Sequence, residues 1–137
     1  MKKTLLLAAV AGLGLLACKK ENTADVTKPV IQVTTPAADH LDSAPGNSFD
    51  LVATLTDDIA LSQWKMNIHD ADGHTHRITT YAWEWTETGD ATGKSFVLTK
   101  SIAVPDSAEL STYHLEIEAT DKSGNAATPV IIEVHVE

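Results

Sequence analysis

Cysteine occurs once in the 137 residues, at position 18, so no disulfide can close within one chain. A closed zinc site built on several thiolates is excluded for the same reason. Basic residues are scarce: ten lysines and arginines stand against nineteen aspartates and glutamates, a formal net charge of −9. A chain so balanced, with no basic stripe, repels phosphate backbones, which argues against nucleic acid as a partner. No glycine-rich phosphate loop, nucleophile elbow or Ser/His/Asp order marks the chain as an enzyme. Low-complexity tracts and internal repeats are missing as well. Beyond the N-terminal segment there is no helical period.

One long apolar run is present, at the very start. In MKKTLLLAAVAGLGLLAC, Lys2 and Lys3 precede the apolar stretch from Leu5 to Leu16, and the small Ala17 follows it. That pattern is a secretory signal, too short to span a bilayer comfortably. The tetrad Leu15-Leu16-Ala17-Cys18 resembles a bacterial lipobox, although Leu16 stands where Ala or Ser is commoner. The resemblance implies removal of residues 1–17 and acylation of Cys18 as the mature N-terminus. Lys19, rather than Asp, follows the cysteine. By resemblance to Gram-negative sorting rules, this implies a lipid anchor in the outer membrane. Residues 18–28 then read as the lipidated cysteine and a polar tether. About 120 residues remain after processing, enough for one domain with a core, placed at 29–137.

Within that domain, short alternating apolar runs are separated by Pro, Gly, Asp and Ser clusters. They predict strands at about 29–35, 48–56, 61–69, 75–85, 95–104, 112–120 and 129–136. Period two puts one set of each strand on a buried face. The predicted core is Leu51, Ala53 and Leu55; Trp64, Met66 and Ile68; Tyr113, Leu115, Ile117 and Ala119; and Val130, Ile132, Val134 and Val136. About seven such strands make an all-β, immunoglobulin-like sandwich.

The run YHLEIEATDKSGN, Tyr113 to Asn125, resembles the strand-and-turn ending of bacterial Ig-like and cadherin-like extracellular modules. The resemblance implies a tyrosine corner at Tyr113, a core tryptophan at Trp64 and a positive-φ turn at Gly124 and Asn125. More narrowly, LTDDIALSQWKMNIHDADGHTHR is similar to a group of Bacteroidota lipoproteins with an Ig-like domain and a His-rich segment.

This topology locates the histidines. In a sandwich entered at its anchored pole, the strands at 29–35, 61–69 and 129–136 end at the far pole, where 112–120 starts. His40 in the loop after 29–35, His69, His74, His76, His114 and His135 all fall there. Since Trp64, Met66 and Ile68 point inward, His69 faces out, as do His114, Glu116, Glu133 and His135. His69, His114 and His135 are expected to form a row on neighbouring strands, about 4.8 Å from strand to strand. Asp72-Gly73 signals a hairpin turn. A two-residue turn sets His76 opposite His69; a three-residue loop sets Arg77 there and turns His76 inward. Both registers remain open.

The preferred ligand set is His69, His74, His76 and His114, with Asp72, Glu116, His135 and His40 as alternates. Neutral imidazole binds Zn(II), Cu(II) and Ni(II), with zinc favoured, and nearby carboxylates orient the rings or complete the shell. At the anchored pole, Asp57, Asp58, Asp121 and Asn125 form a weaker candidate for calcium, implied by the cadherin-like resemblance. In YAWEWTE, Tyr81, Trp83 and Trp85 alternate, giving either an aromatic platform for sugar or protein or, preferred here, a face packed on the core.

The expected function is a lipid-anchored, non-enzymatic envelope module that captures a divalent transition metal for scavenging, buffering or delivery. Its partners are the membrane and an outer-membrane uptake receptor or another envelope protein. The alternative is an adhesion or structural accessory lipoprotein that binds protein or glycan without metal. A small metallohydrolase comes third.

Overall fold

The computed structural model describes residues 24–71 and 82–137. Among them run eight strands and no helix: β1 (Val30–Thr35), β2 (His40–Ser43), β3 (Ser48–Thr56), β4 (Leu61–Asp70), β5 (Trp85–Asp90), β6 (Ser95–Ala103), β7 (Ser111–Asp121) and β8 (Val130–Val136). They form a three-stranded sheet in the order β1-β3-β6 and a five-stranded sheet in the order β2-β8-β7-β4-β5. The β2–β8 pair is parallel and every other strand pair antiparallel. This is a β-sandwich of immunoglobulin type, as the alternation predicts.

Alternation fills the space between the sheets. Leu51, Ala53 and Leu55 of β3 face Met66 and Ile68 of β4, Tyr113, Leu115 and Ile117 of β7, and Ile132 and Val134 of β8, all buried. Val130 alone of the predicted set is half-buried. Trp83 stands edge-on to Tyr113, with ring centroids 5.6 Å apart, and to Phe49, 6.4 Å away. Such edge-to-face contacts add to the area that large aromatics bury. The Tyr113 hydroxyl donates to the Glu109 carbonyl at 3.1 Å, forming the expected tyrosine corner. At one edge, Glu87 of β5 pairs with Lys100 of β6, whose ammonium lies 5.1 Å from the Trp64 ring centre. That contact ties the two sheets together where their edge strands meet.

Two features depart from the sequence reading. The first strand is split. β1 covers the half of β3 from Thr56 to Val52, and after Pro36 the chain crosses to the other sheet, where β2 pairs with β8. His40 therefore opens a strand rather than lying in a loop. Of the strand expected at 75–85, residues 75–81 lie outside the described residues and 82–84 are not in a strand. β5 begins at Trp85, where the prediction ends, and runs through the turn-like TETGD. Gly89 is accepted in that strand because the Trp64 ring lies against it: a Cβ there would sit 2.5 Å from Trp64 Cζ2. The hairpin turn expected at Asp72-Gly73, and with it the two registers for His76 and Arg77, lies outside the described residues. Ile68 pairs with Trp85, and from there β4 and β5 run antiparallel to Gln63 and Asp90.

Pairing directions set the two poles. β1, β4 and β8 run away from the N-terminal pole, and β3 and β7 run back to it. His69 and His114 thus lie near the far pole, while Asp57 and Asp121 lie at the near one.

Candidate metal centre

β4 and β7 are neighbours, and their register sets His69 directly opposite His114. Both side chains point out because Ile68 and Leu115, their sequence neighbours, are buried. The ring centroids are 5.6 Å apart and the planes stand at 85°. Two imidazoles on one tetrahedral ion hold their nitrogens about 3.3 Å apart. His69 Nδ1 donates to the Asp70 carbonyl at 3.0 Å. A carbonyl only accepts, so this contact fixes the tautomer and leaves Nε2 with a lone pair.

The rest of the expected row is rearranged. Glu133, rather than His135, lies opposite His114, and His40 lies opposite Glu133. His135 pairs with Thr112 on one side and Asp42 on the other. A continuous outer-face row thus runs His69, His114, Glu133, His40 across four strands. His135 stacks on His40 with ring centroids 5.9 Å apart. Its Nδ1 is 3.1 Å from Asp42 Oδ1 and its Nε2 3.5 Å from Glu133 Oε2, so both nitrogens face carboxylates. His40 Nδ1 bonds Asp39 Oδ1 at 3.1 Å, and this bond holds the Asp39 carboxyl below its usual range. Glu116 faces out opposite Asn67 and Ile131. Among the described residues, no histidine joins a group of three donors close enough to share one ion. His74, His76 and Asp72 lie outside the described residues, as do Cys18 and Tyr81.

Beside His69 an open groove is lined by Asn67, Glu84, Trp85 and Thr86. Trp83 is buried and Trp85 half-buried, so of the YAWEWTE aromatics among the described residues only Trp85 borders this groove.

The four candidate calcium ligands meet at the near pole with unequal duties. Asp121 Oδ1 accepts from the backbone amides of Ser123 and Asn125, both at 2.8 Å, and Oδ2 accepts from the Asn125 side chain at 2.6 Å. Burial pushes the Asp121 carboxyl up, but the bonds from Asn125 and from the turn amides outweigh it and hold the carboxyl low. Asp121 and Asn125 thus brace the turn through Gly124, whose φ of 89° needs glycine. Asp57 Oδ1 accepts from the amides of Ile59 and Ala60 at 2.9 and 2.6 Å. Asp57 and Asp58 are joined by Asp25, which the sequence reading left in the tether; one oxygen from each of the three lies within 4.8 Å of the others. Nothing in the alternation marks Asp25, because it precedes the first strand.

Among solved structures, the chain resembles the PKD domain of an M14-like peptidase from Thermoplasmatales archaeon SCGC AB-540-F20. The two are 17% identical, with a TM-score of 0.44, and the match covers 80% of this chain and 92% of that one. No curated protein matches. Residues 16–136 match a family model described as a domain of unknown function, DUF4625, and the chain belongs to that family.

Proposed function

We propose that the domain captures a divalent transition metal on the outer face of its five-stranded sheet, with His69 and His114 as the first two ligands. The observation that supports this reading most is the cross-strand pair itself, with ring centroids 5.6 Å apart and His69 Nε2 left free to coordinate. Nitrogen donors without a thiol suit Zn(II), Cu(II) and Ni(II), with zinc favoured. The further donors are Asp72, His74 and His76, which follow β4 within a few residues of His69. Glu133, the register partner of His114, is the carboxylate that this reading assigns to orienting that ring. The lipobox-like tetrad at Cys18 supports a lipid anchor in the outer membrane, and a site at the far pole points away from such an anchor. A scavenging, buffering or delivery role toward an envelope receptor fits that placement.

Calorimetric titration with Zn(II) at pH 7.5 tests the reading. The His69→Ala, His114→Ala double variant is expected to bind at least tenfold more weakly, about the loss typical of a disturbed metal shell. Equal affinity in the two proteins would remove the reading.

A second reading uses the groove beside Trp85 to bind protein or glycan without metal, because a half-buried tryptophan flanked by Asn67, Glu84 and Thr86 offers stacking and hydrogen bonds together. Quenching of tryptophan fluorescence by a glycan, unchanged by metal, would favour it.

A further inference from the structure

We propose that Asp25, Asp57 and Asp58 bind a calcium-class divalent cation that fastens the segment ahead of β1 to the near pole of the sandwich. The three carboxylates come from two stretches of chain, and one oxygen from each lies within 4.8 Å of the others. Like charges at that spacing repel, and no lysine, arginine or histidine among the described residues pairs with any of them.

A second observation concerns Asp57 alone. Its residue is only 8% exposed, and its Oδ2 is buried without a hydrogen-bond partner. Its Oδ1 is already taken by the amides of Ile59 and Ala60, so the side chain is held with one oxygen engaged and the other bare. A buried carboxylate oxygen with nothing to accept from is costly, and a cation shared with Asp25 and Asp58 removes both that cost and the repulsion.

The donors are all oxygens, which selects a hard cation. Calcium takes six to eight oxygens at about 2.3–2.6 Å, so two oxygens on one ion lie up to about 5 Å apart, and water completes the shell. Magnesium demands a tighter octahedron than ligands from two separate stretches readily supply. Asp25 is already guided to the place. Its carbonyl accepts from Asn125 Nδ2 at 3.2 Å, and Ser123 Oγ lies 3.4 Å from its Oδ2. Thr27 Oγ1 donates to Asp58 Oδ2 at 3.2 Å. Cation binding therefore sets how rigidly the segment at 24–28 leaves the domain.

Calcium chloride titration of the protein, read by calorimetry and by amide hydrogen exchange at Val26 and Thr27, tests this. Saturable binding with a dissociation constant of about 0.1–1 mM is expected, the range of extracellular modules, together with slower exchange at both amides. Asp25→Asn and the more exposed Asp58→Asn should each weaken binding at least about tenfold and abolish the protection. The His69→Ala, His114→Ala double variant should bind calcium as the parent does, which separates this site from the transition-metal one. No saturable binding, unchanged binding in both aspartate variants, or an equal response to potassium chloride at matched ionic strength would overturn the proposal.

Discussion

His69 and His114 face each other across the β4–β7 ladder, at the one register position where both strands present an imidazole outward. The transition-metal reading begins from that pair. Imidazole must be neutral to coordinate, so zinc affinity should fall steeply between pH 7.5 and pH 5. Titrations across that range check this, and a flat profile would point to carboxylates alone.

Tyr113 is buried, and burial pushes its hydroxyl above the usual tyrosine range. A raised folded-state value gives stability that is fully present below about pH 10, where the unfolded chain's tyrosine ionises, and is lost as pH rises through the folded value. Tyr113→Phe should remove that alkaline sensitivity. It should also cost about 0.5–1.5 kcal/mol at neutral pH, through loss of the bond to the Glu109 carbonyl. Urea unfolding at pH 7 and pH 10.5 measures both.

Asp121 behaves in the opposite sense. Its carboxyl is held below the ordinary range, since the bonds it accepts outweigh its burial. The stabilisation is present above about pH 4 and is lost as pH falls through the folded-state value. Melting temperatures measured from pH 6 to pH 2 in the presence of chelator should drop more steeply for the parent protein than for Asp121→Asn. The variant should be less stable than the parent at pH 6.

Gly89→Ala places a methyl group against the Trp64 indole, 2.5 Å from Cζ2. The indole is itself buried and lies 2.5–2.8 Å from such a Cβ, so the strand or the indole must shift, at about 1–3 kcal/mol. A lower urea midpoint and an altered tryptophan emission spectrum are the expected readouts.

The inward residues of β3, β4, β7 and β8 were legible because each strand alternates cleanly, and the same parity put His69 and His114 on the outer face. Their pairing followed from adjacency of β4 and β7 in the sandwich. Placing His135 opposite His114 failed for a definite reason. Sliding β8 by two residues exchanges His135 for Glu133 and leaves every buried side chain facing inward, so alternation cannot detect it. β2 escaped because HLDS is four residues long and pairs on one side only. β5 escaped because TETGD carries turn chemistry, and its Gly89 is explained only by the distant Trp64 ring. Asp25 lies outside any strand, so its meeting with Asp57 and Asp58 is a property of the folded chain alone.

Nitrogen-15 NMR of the imidazole rings during zinc addition tests the central claim most directly. With one equivalent of Zn(II) at pH 7.5, the Nε2 resonance of His69 and one nitrogen of His114 should both move to coordinated values, while His40 and His135 stay in place. Saturation of the protein with zinc while the His69 and His114 resonances remain where they began would contradict the account.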